Sequence, residues 1–333
     1  MMTNRYGPAV AAVLPILFAS SAAAHAQTPE LQQELRGSIR IVGTDTMKEL
    51  MDRWIAGFTA IHPEVRIELA AKGALTAAPA LSDGSADLAT LGREFTPSEI
   101  AGFHARRPYD PTGIRVAIGS YDTSGKTVAL ALFVNQANPI TRLNFQQLDA
   151  IYCNSLLRKA PHPITKWGEL GLTGEWASRD IHPVGVNFPD GISNFIRLRV
   201  CKGGDLRQGI REEHTGGSIN VLDRIVTDIA ADPASIGYAG FANLKPGSKL
   251  IAISEDGGPY LEGTRAEVET ARYPLSRYIY LFIDRAPGQP LPPLEREFLR
   301  YVTSPAGQAL VGLDNIYMPL PLPIAASQQE ELR

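Results

Sequence analysis

The sequence has almost no charge excess, and no long run of apolar residues. Its 333 residues include 32 Lys and Arg against 35 Asp and Glu, which gives a net charge of −3. This argues against a nucleic-acid partner, because such proteins normally present a strongly basic face to the phosphate backbone. With 44% hydrophobic and 20% charged residues, the composition is that of a globular protein long enough for about two domains.

Residues 1–26 have the pattern of a secretory signal peptide. Arg5 is followed by an apolar run over 9–18 and by small residues that end in Ala24-His25-Ala26, a typical cleavage site. The run is shorter than the ~20 apolar residues of a membrane-spanning helix. We predict that residues 1–26 are removed, that the mature chain begins near Gln27, and that it is exported. A buried N-terminal helix is the alternative.

Cysteine is scarce, with only Cys153 and Cys201 in the chain. In an exported protein an even pair of cysteines is more often bridged than free. A disulfide between them would close a ~49-residue loop and stabilise the fold by roughly 4 kcal/mol in the chain-entropy model. Metal binding is the weaker reading because the six His are scattered without ligand spacing. We predict no metal and no cofactor.

Strand and helix patterns alternate along the chain. A β-branched stretch at 38–42 precedes apolar residues spaced by three and four from Met47 to Ile61, and 65–69 alternates again. Such a strand–helix–strand unit predicts a parallel sheet and an α/β fold. Further helices are predicted at 77–81, 97–106, 145–152, 193–200 and 218–230, and further strands at 87–91, 128–135, 236–241 and 278–283.

The two longest predicted strands, 128–135 and 278–283, stand at the two ends of the central segment. If they run side by side, they form a double crossover between two lobes. The chain would leave the first lobe near Leu130 and return near Tyr273. This predicts a first lobe of 27–130 and 273–333 and a second of 131–272, with the ligand in the cleft between them, at the carboxyl ends of strands.

Motifs of nucleotide binding and of nucleophilic catalysis are missing. Residues 120–127, SYDTSGKT, imitate a phosphate-binding loop, but Ser120 replaces an essential glycine and a strand pattern follows instead of a helix. We predict a loop that enters a strand. The chain also has no G-x-S-x-G elbow and no Ser, His and acid in the order of a triad.

Three loops combine glycine and hydroxyl residues with the beginning of a predicted helix, at 43–46, 73–76 and 190–193. A helix N-terminus leaves up to four backbone N–H groups unpaired and carries a partial positive charge, so it can hold an anion. Three such ends around one cleft predict an oxoanion site. For any single loop, ordinary helix capping is the alternative.

Short motifs over nearly the whole mature chain match one known family in order and spacing. They are GTDTM at 43–47, 73–81, 87–93, FVNQANP at 133–139, WGEL at 167–170, IGYAG at 236–240, YPLSR at 273–277 and TSPAGQ at 303–308. The chain resembles the periplasmic phosphate-binding component of bacterial ABC importers. The resemblance implies a monomer with the two-lobed type II periplasmic binding protein fold. It also implies phosphate as the ligand and an inner-membrane permease as the partner.

The resemblance also implies ligand positions, but the match is uneven. The family's second loop, G-S-G-T, is replaced by Gly73-Ala74-Leu75-Thr76, and its last triplet, S-G-T, by Gly191-Ile192-Ser193, so two hydroxyls are lost. Arg93 survives at the third site, where a salt bridge with Glu94 or Asp45 is the alternative role. The predicted oxoanion ligands are Thr44, Asp45, Thr46, Thr76, Arg93, Asn187, Gly191 and Ser193.

We therefore predict an exported solute-binding protein that captures phosphate or a related oxoanion for an ABC importer and catalyses no reaction. The two lost hydroxyls would weaken phosphate binding by about a hundredfold or more unless water or another ligand takes their place. They indicate a first alternative, a sensor or regulatory protein with a changed ligand. The second alternative is an exported phosphate-ester hydrolase, which would need a nucleophile or a metal site.

Overall fold

The structure is a computed structural model that describes residue 1, residues 35–214 and residues 220–333. The predicted signal peptide, its cleavage site and the mature start at Gln27 lie outside the described residues. So does Ser218, where a helix was predicted to begin. Within the described ranges, none of the helices combines the length and the apolar character that crossing a membrane requires.

The strands form two separate sheets. In chain order they are β1 (Gly37–Gly43), β2 (Val65–Ala71), β3 (Leu88–Leu91), β4 (Thr112–Ile118), β5 (Leu130–Asn135), β6 (Arg142–Asn144), β7 (His182–Val186), β8 (Arg211–Glu213), β9 (Ser235–Gly240), β10 (Ser248–Ser254) and β11 (Tyr278–Ile283).

Helices alternate with these strands. They are α1 (Lys48–Ile61), α2 (Ala77–Asp83), α3 (Pro97–His104), α4 (Phe145–Tyr152), α5 (Gly191–Arg199), α6 (Val221–Ala231), α7 (Arg265–Glu269), α8 (Pro293–Thr303), α9 (Pro305–Val311) and α10 (Leu322–Glu331). The α/β fold class is confirmed. α4 and β11 have the predicted bounds, and the other predicted strands and helices are present with their ends shifted by a few residues. β4, β6, β7, β8, β10 and the helices after α6 were not predicted.

The first sheet has the strand order β2-β1-β3-β11-β4. β1 runs parallel to β2 and β3, with Ile39 opposite Ile67, which confirms the predicted strand–helix–strand unit. The apolar face of α1 buries Trp54 in the core beneath this sheet. The indole N–H of Trp54 donates to the Gly307 carbonyl of α9 at 2.8 Å, so the polar edge of this buried ring is satisfied.

The second sheet has the order β6-β10-β5-β9-β7-β8, and β5 lies inside it, antiparallel to both β9 and β10. Every residue of β5 is buried, which explains its continuous apolar run. The predicted disulfide is confirmed: Cys153 at the end of α4 is bonded to Cys201 beyond α5, with 5.6 Å between their Cα atoms. It ties α4 to α5 beside this sheet.

The chain passes between the sheets twice, and the two passages lie side by side. The N–H of Gly119 donates to the Arg277 carbonyl at 2.8 Å, and the N–H of Leu130 donates to the Leu275 carbonyl at 3.1 Å. On the sequence alone, β5 and β11 could run side by side. They do not pair in the structure, because β11 pairs with β3 and β4 in the first sheet. The double crossover is made instead by the segments that precede these two strands.

Candidate functional site

The first predicted loop caps a short 3-10 helix, Asp45–Met47, at the carboxyl end of β1. The Thr44 hydroxyl oxygen accepts the Thr46 N–H at 3.3 Å, and the two Thr hydroxyls lie 3.0 Å apart. Thr44 is buried and Asp45 is exposed. The Thr46 carbonyl accepts hydrogen bonds from Lys126 and Tyr317, both at 3.0 Å. This loop is held mainly by contacts within the protein.

The loop at 120–127 supplies that lysine and has no helix behind it. Val128 forms a β-bridge with Ser120, and β5 begins two residues later. The structure confirms a loop that enters a strand. Lys126 also lies 3.5 Å from Glu49, so its ammonium group is engaged by α1 and the first loop.

The second predicted loop forms another short 3-10 helix, Ala74–Thr76. The Thr76 hydroxyl donates to the Gly73 carbonyl at 2.8 Å, so its proton closes the turn. Gly73 has a φ of +102°, a backbone conformation that favours glycine. Leu75 is 81% exposed, at the place where the related family has a glycine.

Arg93 follows β3 and forms a bidentate ion pair with Glu99 in α3. Its Nη1 and Nη2 lie 2.7 and 2.8 Å from the two carboxylate oxygens, and both side chains are nearly buried. Nη1 also donates to the Glu94 carbonyl at 3.0 Å. The alternative role, a salt bridge of Arg93, is therefore present, but its partner is Glu99 and not Glu94 or Asp45.

Glu99 is a residue that the sequence reasoning missed. Burial alone would raise the pKa of the Glu99 carboxyl, but hydrogen bonds from Arg93 and from the Thr96 N–H outweigh burial and hold the pKa below its ordinary value. Thr96 and Glu99 form a capping box at the start of α3. That T-x-x-E spacing was a signal in the sequence that could have identified Glu99.

The last predicted loop opens α5. Asp190 caps the helix by accepting the Ile192 N–H at 2.7 Å. Ser193 is fully buried, and its hydroxyl faces the carbonyls of Asn187 and Asp190 at 3.1 and 2.9 Å. A Cβ atom on Gly191 would lie 2.2 Å from Cδ of Arg93, so α5 begins directly against the Arg93 side chain.

These contacts bring three of the predicted ligands to one cavity of about 570 Å³. Arg93, Asn187 and Gly191 line it, together with Glu99, Asp190, Ala74, Leu75, Pro79, Thr96, Ser98 and Pro189. The predicted ligands Thr44, Asp45, Thr46, Thr76 and Ser193 do not line it. The cavity lies between the end of β3 and the start of α5, where two of the three predicted loops meet.

Comparison with known proteins places the chain in a family. A model of the PBP superfamily domain matches residues 24–306. The phosphate-binding protein PstS of Pseudomonas aeruginosa is 33% identical over 307 residues, which are 91% of this chain and 90% of that protein. The chain belongs to the PstS family of the PBP superfamily. PstS of Staphylococcus epidermidis is a more distant member, 22% identical over 90% of this chain and 84% of that protein.

Solved structures show the same fold at low sequence identity. An ABC-type phosphate transport receptor from Vibrio cholerae has a TM-score of 0.52 and 21% identity, over 85% of this chain and all of that one (100%). PstS from Borrelia burgdorferi has a TM-score of 0.53 and 15% identity, over 86% of this chain and 100% of that one. The type II periplasmic binding protein fold predicted from the resemblance is thereby confirmed.

Proposed function

We propose that this PstS-family chain captures phosphate or a related oxoanion in the cavity between β3 and α5 and passes it to an ABC permease in the inner membrane. The observation that carries the proposal is the position of Arg93, which is ion-paired and also lines the cavity. Its position is set by a bidentate carboxylate, yet the residue still lines the cavity. Family membership gives the expected ligand class, since the relative that shares a third of its sequence is named for phosphate binding.

The hydrogen bonds of Arg93 explain how it would bind an anion. Both Nη1 hydrogens and one Nη2 hydrogen are used by Glu94 and Glu99. The Nε–H and the second Nη2–H share the other edge of the guanidinium plane, and they have no partner among the described residues. This edge matches two oxygens of a tetrahedral anion, a bidentate geometry that a lysine lacks. The start of α5 at Gly191 adds unpaired N–H groups nearby.

The two-lobed division is part of the same proposal. The strands of the first sheet fall within 37–118 and 278–283, and those of the second within 130–254. They support the predicted division, for the described residues, into a first lobe of 35–130 and 273–333 and a second lobe of 131–214 and 220–272. The ligand would be enclosed between lobes in a periplasmic monomer that needs no cofactor and catalyses no reaction. The remaining five predicted ligands are proposed to support the loops that surround the anion.

Calorimetry tests the proposal directly. Mature protein, residues 27–333, is titrated with phosphate, arsenate, sulfate and molybdate at fixed pH and ionic strength. We expect saturable one-to-one binding of phosphate and of the similarly shaped arsenate. Selective binding of sulfate or molybdate would support the alternative of a changed ligand, for which Ala74 and Leu75 are the structural reason. Absence of binding to all four anions would refute capture of an oxoanion.

A further inference from the structure

Arg277 is a buried cation without a carboxylate partner. It lies in the second passage between the sheets and is 6% exposed. The only hydrogen bond of its side chain among the described residues runs from Nη2 to the Gly92 carbonyl at 3.4 Å, and its buried Nε has no partner there. No acidic side chain of the described ranges lies within ion-pair distance of it.

The buried Arg158 shows how this protein satisfies an arginine that has only a structural role. Its guanidinium pairs with Glu255 at 3.2 Å and Asp256 at 2.7 Å, and it donates to the carbonyls of Val200 and Arg199. Burying a guanidinium without such partners is costly, because the lost hydration is not replaced. Arg277 therefore carries a desolvation cost that the described residues do not offset.

The position of Arg277 shows what could offset that cost. Gly92, which accepts its hydrogen bond, directly precedes Arg93 at the end of β3. On its other side, the guanidinium lies 5.2 Å from the ring centre of Phe195, one helical turn after Gly191 in α5. Arg277 thus stands between the two segments that border the proposed anion cavity.

Arg93 and Arg277 differ in whether a carboxylate already neutralises their positive charge. The positive charge of Arg93 is balanced by Glu99 within 2.7 Å. An anion bound at Arg93 alone would therefore meet a guanidinium whose charge is already compensated. Arg277 supplies a positive charge that no ion pair cancels.

We propose that Arg277 is a second anion ligand of this site and provides the net positive charge that the Arg93–Glu99 pair does not. The inference rests on the proposed function, because it assigns a residue to the same oxoanion site. On binding, the anion takes the place of the missing carboxylate, so the cost of burying Arg277 is recovered only in the liganded protein. Charge-assisted hydrogen bonds of this kind are about twice as strong as neutral ones.

Electrostatics at Arg277 agree with this assignment. Burial lowers the pKa of the Arg277 guanidinium, while the more distant carboxylates of Glu94 and Asp190 oppose that effect. An arginine nevertheless stays protonated throughout the physiological range. The site therefore keeps a permanent cation, and its attraction for an anion does not depend on titration of this group.

The test compares phosphate affinity and unliganded stability in three variants. Arg277→Met removes the charge but keeps an unbranched side chain, Arg277→Lys keeps the charge, and Arg158→Lys is the matched control at a buried arginine with partners. Each is titrated with inorganic phosphate by calorimetry and melted without phosphate. We expect Arg277→Met to bind phosphate about 30-fold more weakly or worse, with an unchanged or higher melting temperature.

The other two variants complete the test. Arg277→Lys should bind with intermediate affinity, because the charge remains but the planar fork is lost. Arg158→Lys should melt at a lower temperature and bind phosphate like the parent. Parent-like affinity in Arg277→Met overturns the inference, and a lowered melting temperature with unchanged affinity assigns Arg277 a structural role. If Arg277→Met does not fold, parent-like affinity in Arg277→Lys overturns it instead.

Failure of the proposed function has a different signature. The parent protein would then bind none of the four anions, and the variants would not be compared. A parent that binds phosphate, together with an Arg277→Met variant that binds it equally well, leaves the proposed function standing and removes only Arg277 from the site.

Discussion

Gly191→Ala tests the close approach of α5 to Arg93. A Cβ on Gly191 would lie 2.2 Å from Cδ and 3.0 Å from Nε of Arg93, whereas ordinary contacts begin near 3.4 Å. The Arg93 side chain would have to withdraw by about 1.2 Å to reach that distance. Cδ is not the free end of the chain, because the guanidinium beyond it is fixed by Glu99 at 2.7 and 2.8 Å.

The size of the effect follows from these distances. A shift of about 1 Å takes the ion-pair hydrogen bonds beyond their usual length of ~3.2 Å and turns the free guanidinium edge away from the cavity. Overpacking of this kind costs about 1–3 kcal/mol. We expect phosphate binding to weaken by roughly 10- to 100-fold. Alanine at the start of α5 is a better helix former than glycine by about 0.5–1 kcal/mol, which offsets only part of that cost, so the melting temperature should fall by a few degrees.

The assay is calorimetric titration with phosphate beside thermal melts of the unliganded protein. Gly102→Ala is the matched control: Gly102 lies in α3, has no positive φ, and a Cβ there would meet no atom within 4 Å. This control should bind phosphate like the parent. Affinity of Gly191→Ala within about twofold of the parent would contradict the argument that Arg93 must hold its place for binding.

Four further predictions concern the site, its pH dependence and the covalent frame. Arg93→Ala should weaken phosphate binding by about 2–4 kcal/mol in calorimetry and Arg93→Lys should recover part of it, whereas unchanged affinity in the alanine variant would exclude Arg93. The pKa of Glu99 is lower in the folded protein than its unfolded value of 4.5. Ionised Glu99 therefore stabilises the fold fully above pH 4.5, and this stabilisation is lost as the pH falls below that value. Glu99→Gln should remove this loss, so that the melting temperature of the variant depends less on pH in the acidic range than that of the parent. Replacing Cys153 and Cys201 by alanine should lower the free energy of unfolding by roughly 4 kcal/mol in denaturant titrations, and an unchanged midpoint would contradict the entropic argument. N-terminal sequencing of exported protein should begin at or near Gln27, and retention of the signal segment would refute cleavage.

The strands that could be predicted were those whose own residues carry the pattern. β5 and β11 are apolar runs, and the structure buries most of their length. β4 was missed although Ile114, Val116 and Ile118 alternate in it and are buried, so that signal was present in the sequence. β6 and β8 have three residues each, most of them polar, and they exist only because β10 and β7 offer an edge to pair with. No local pattern encodes such a strand.

The site was predictable to the extent that its residues belong to loops after strands or before helices. Gly191 was found on that basis and Arg93 through the family resemblance, and the two lie against one another. Glu99 could have been predicted from the sequence, because the T-x-x-E spacing from Thr96 is typical of a capping box. Arg277 ends the YPLSR motif, but that motif does not mark it as a ligand, because the proposed role depends on the lack of a carboxylate partner and on contact with Gly92, 185 residues away. That a buried arginine lacks a carboxylate partner can be recognised only from the folded structure, which shows the distant segments packed around it.

The hydroxyl groups of the predicted ligands are largely engaged by the loops that carry them. The Thr76 hydroxyl proton closes its own turn, and that of Ser193 is used by carbonyls of the turn before α5. Thr44 accepts the N–H of Thr46, and only one proton can lie between their two hydroxyls. An anion requires donors. The hydroxyl protons of Thr76 and Ser193, and one of the two from Thr44 and Thr46, are engaged within the loops, and none of these four residues lines the cavity. At the cavity itself, backbone N–H groups at the start of α5 and the free edge of Arg93 are available to an oxoanion. Arg277, the proposed second anion ligand, contacts the bordering segments and does not line the cavity in this structure. Affinity should therefore respond to changes at Arg93 and Arg277 far more than to the loss of any single hydroxyl.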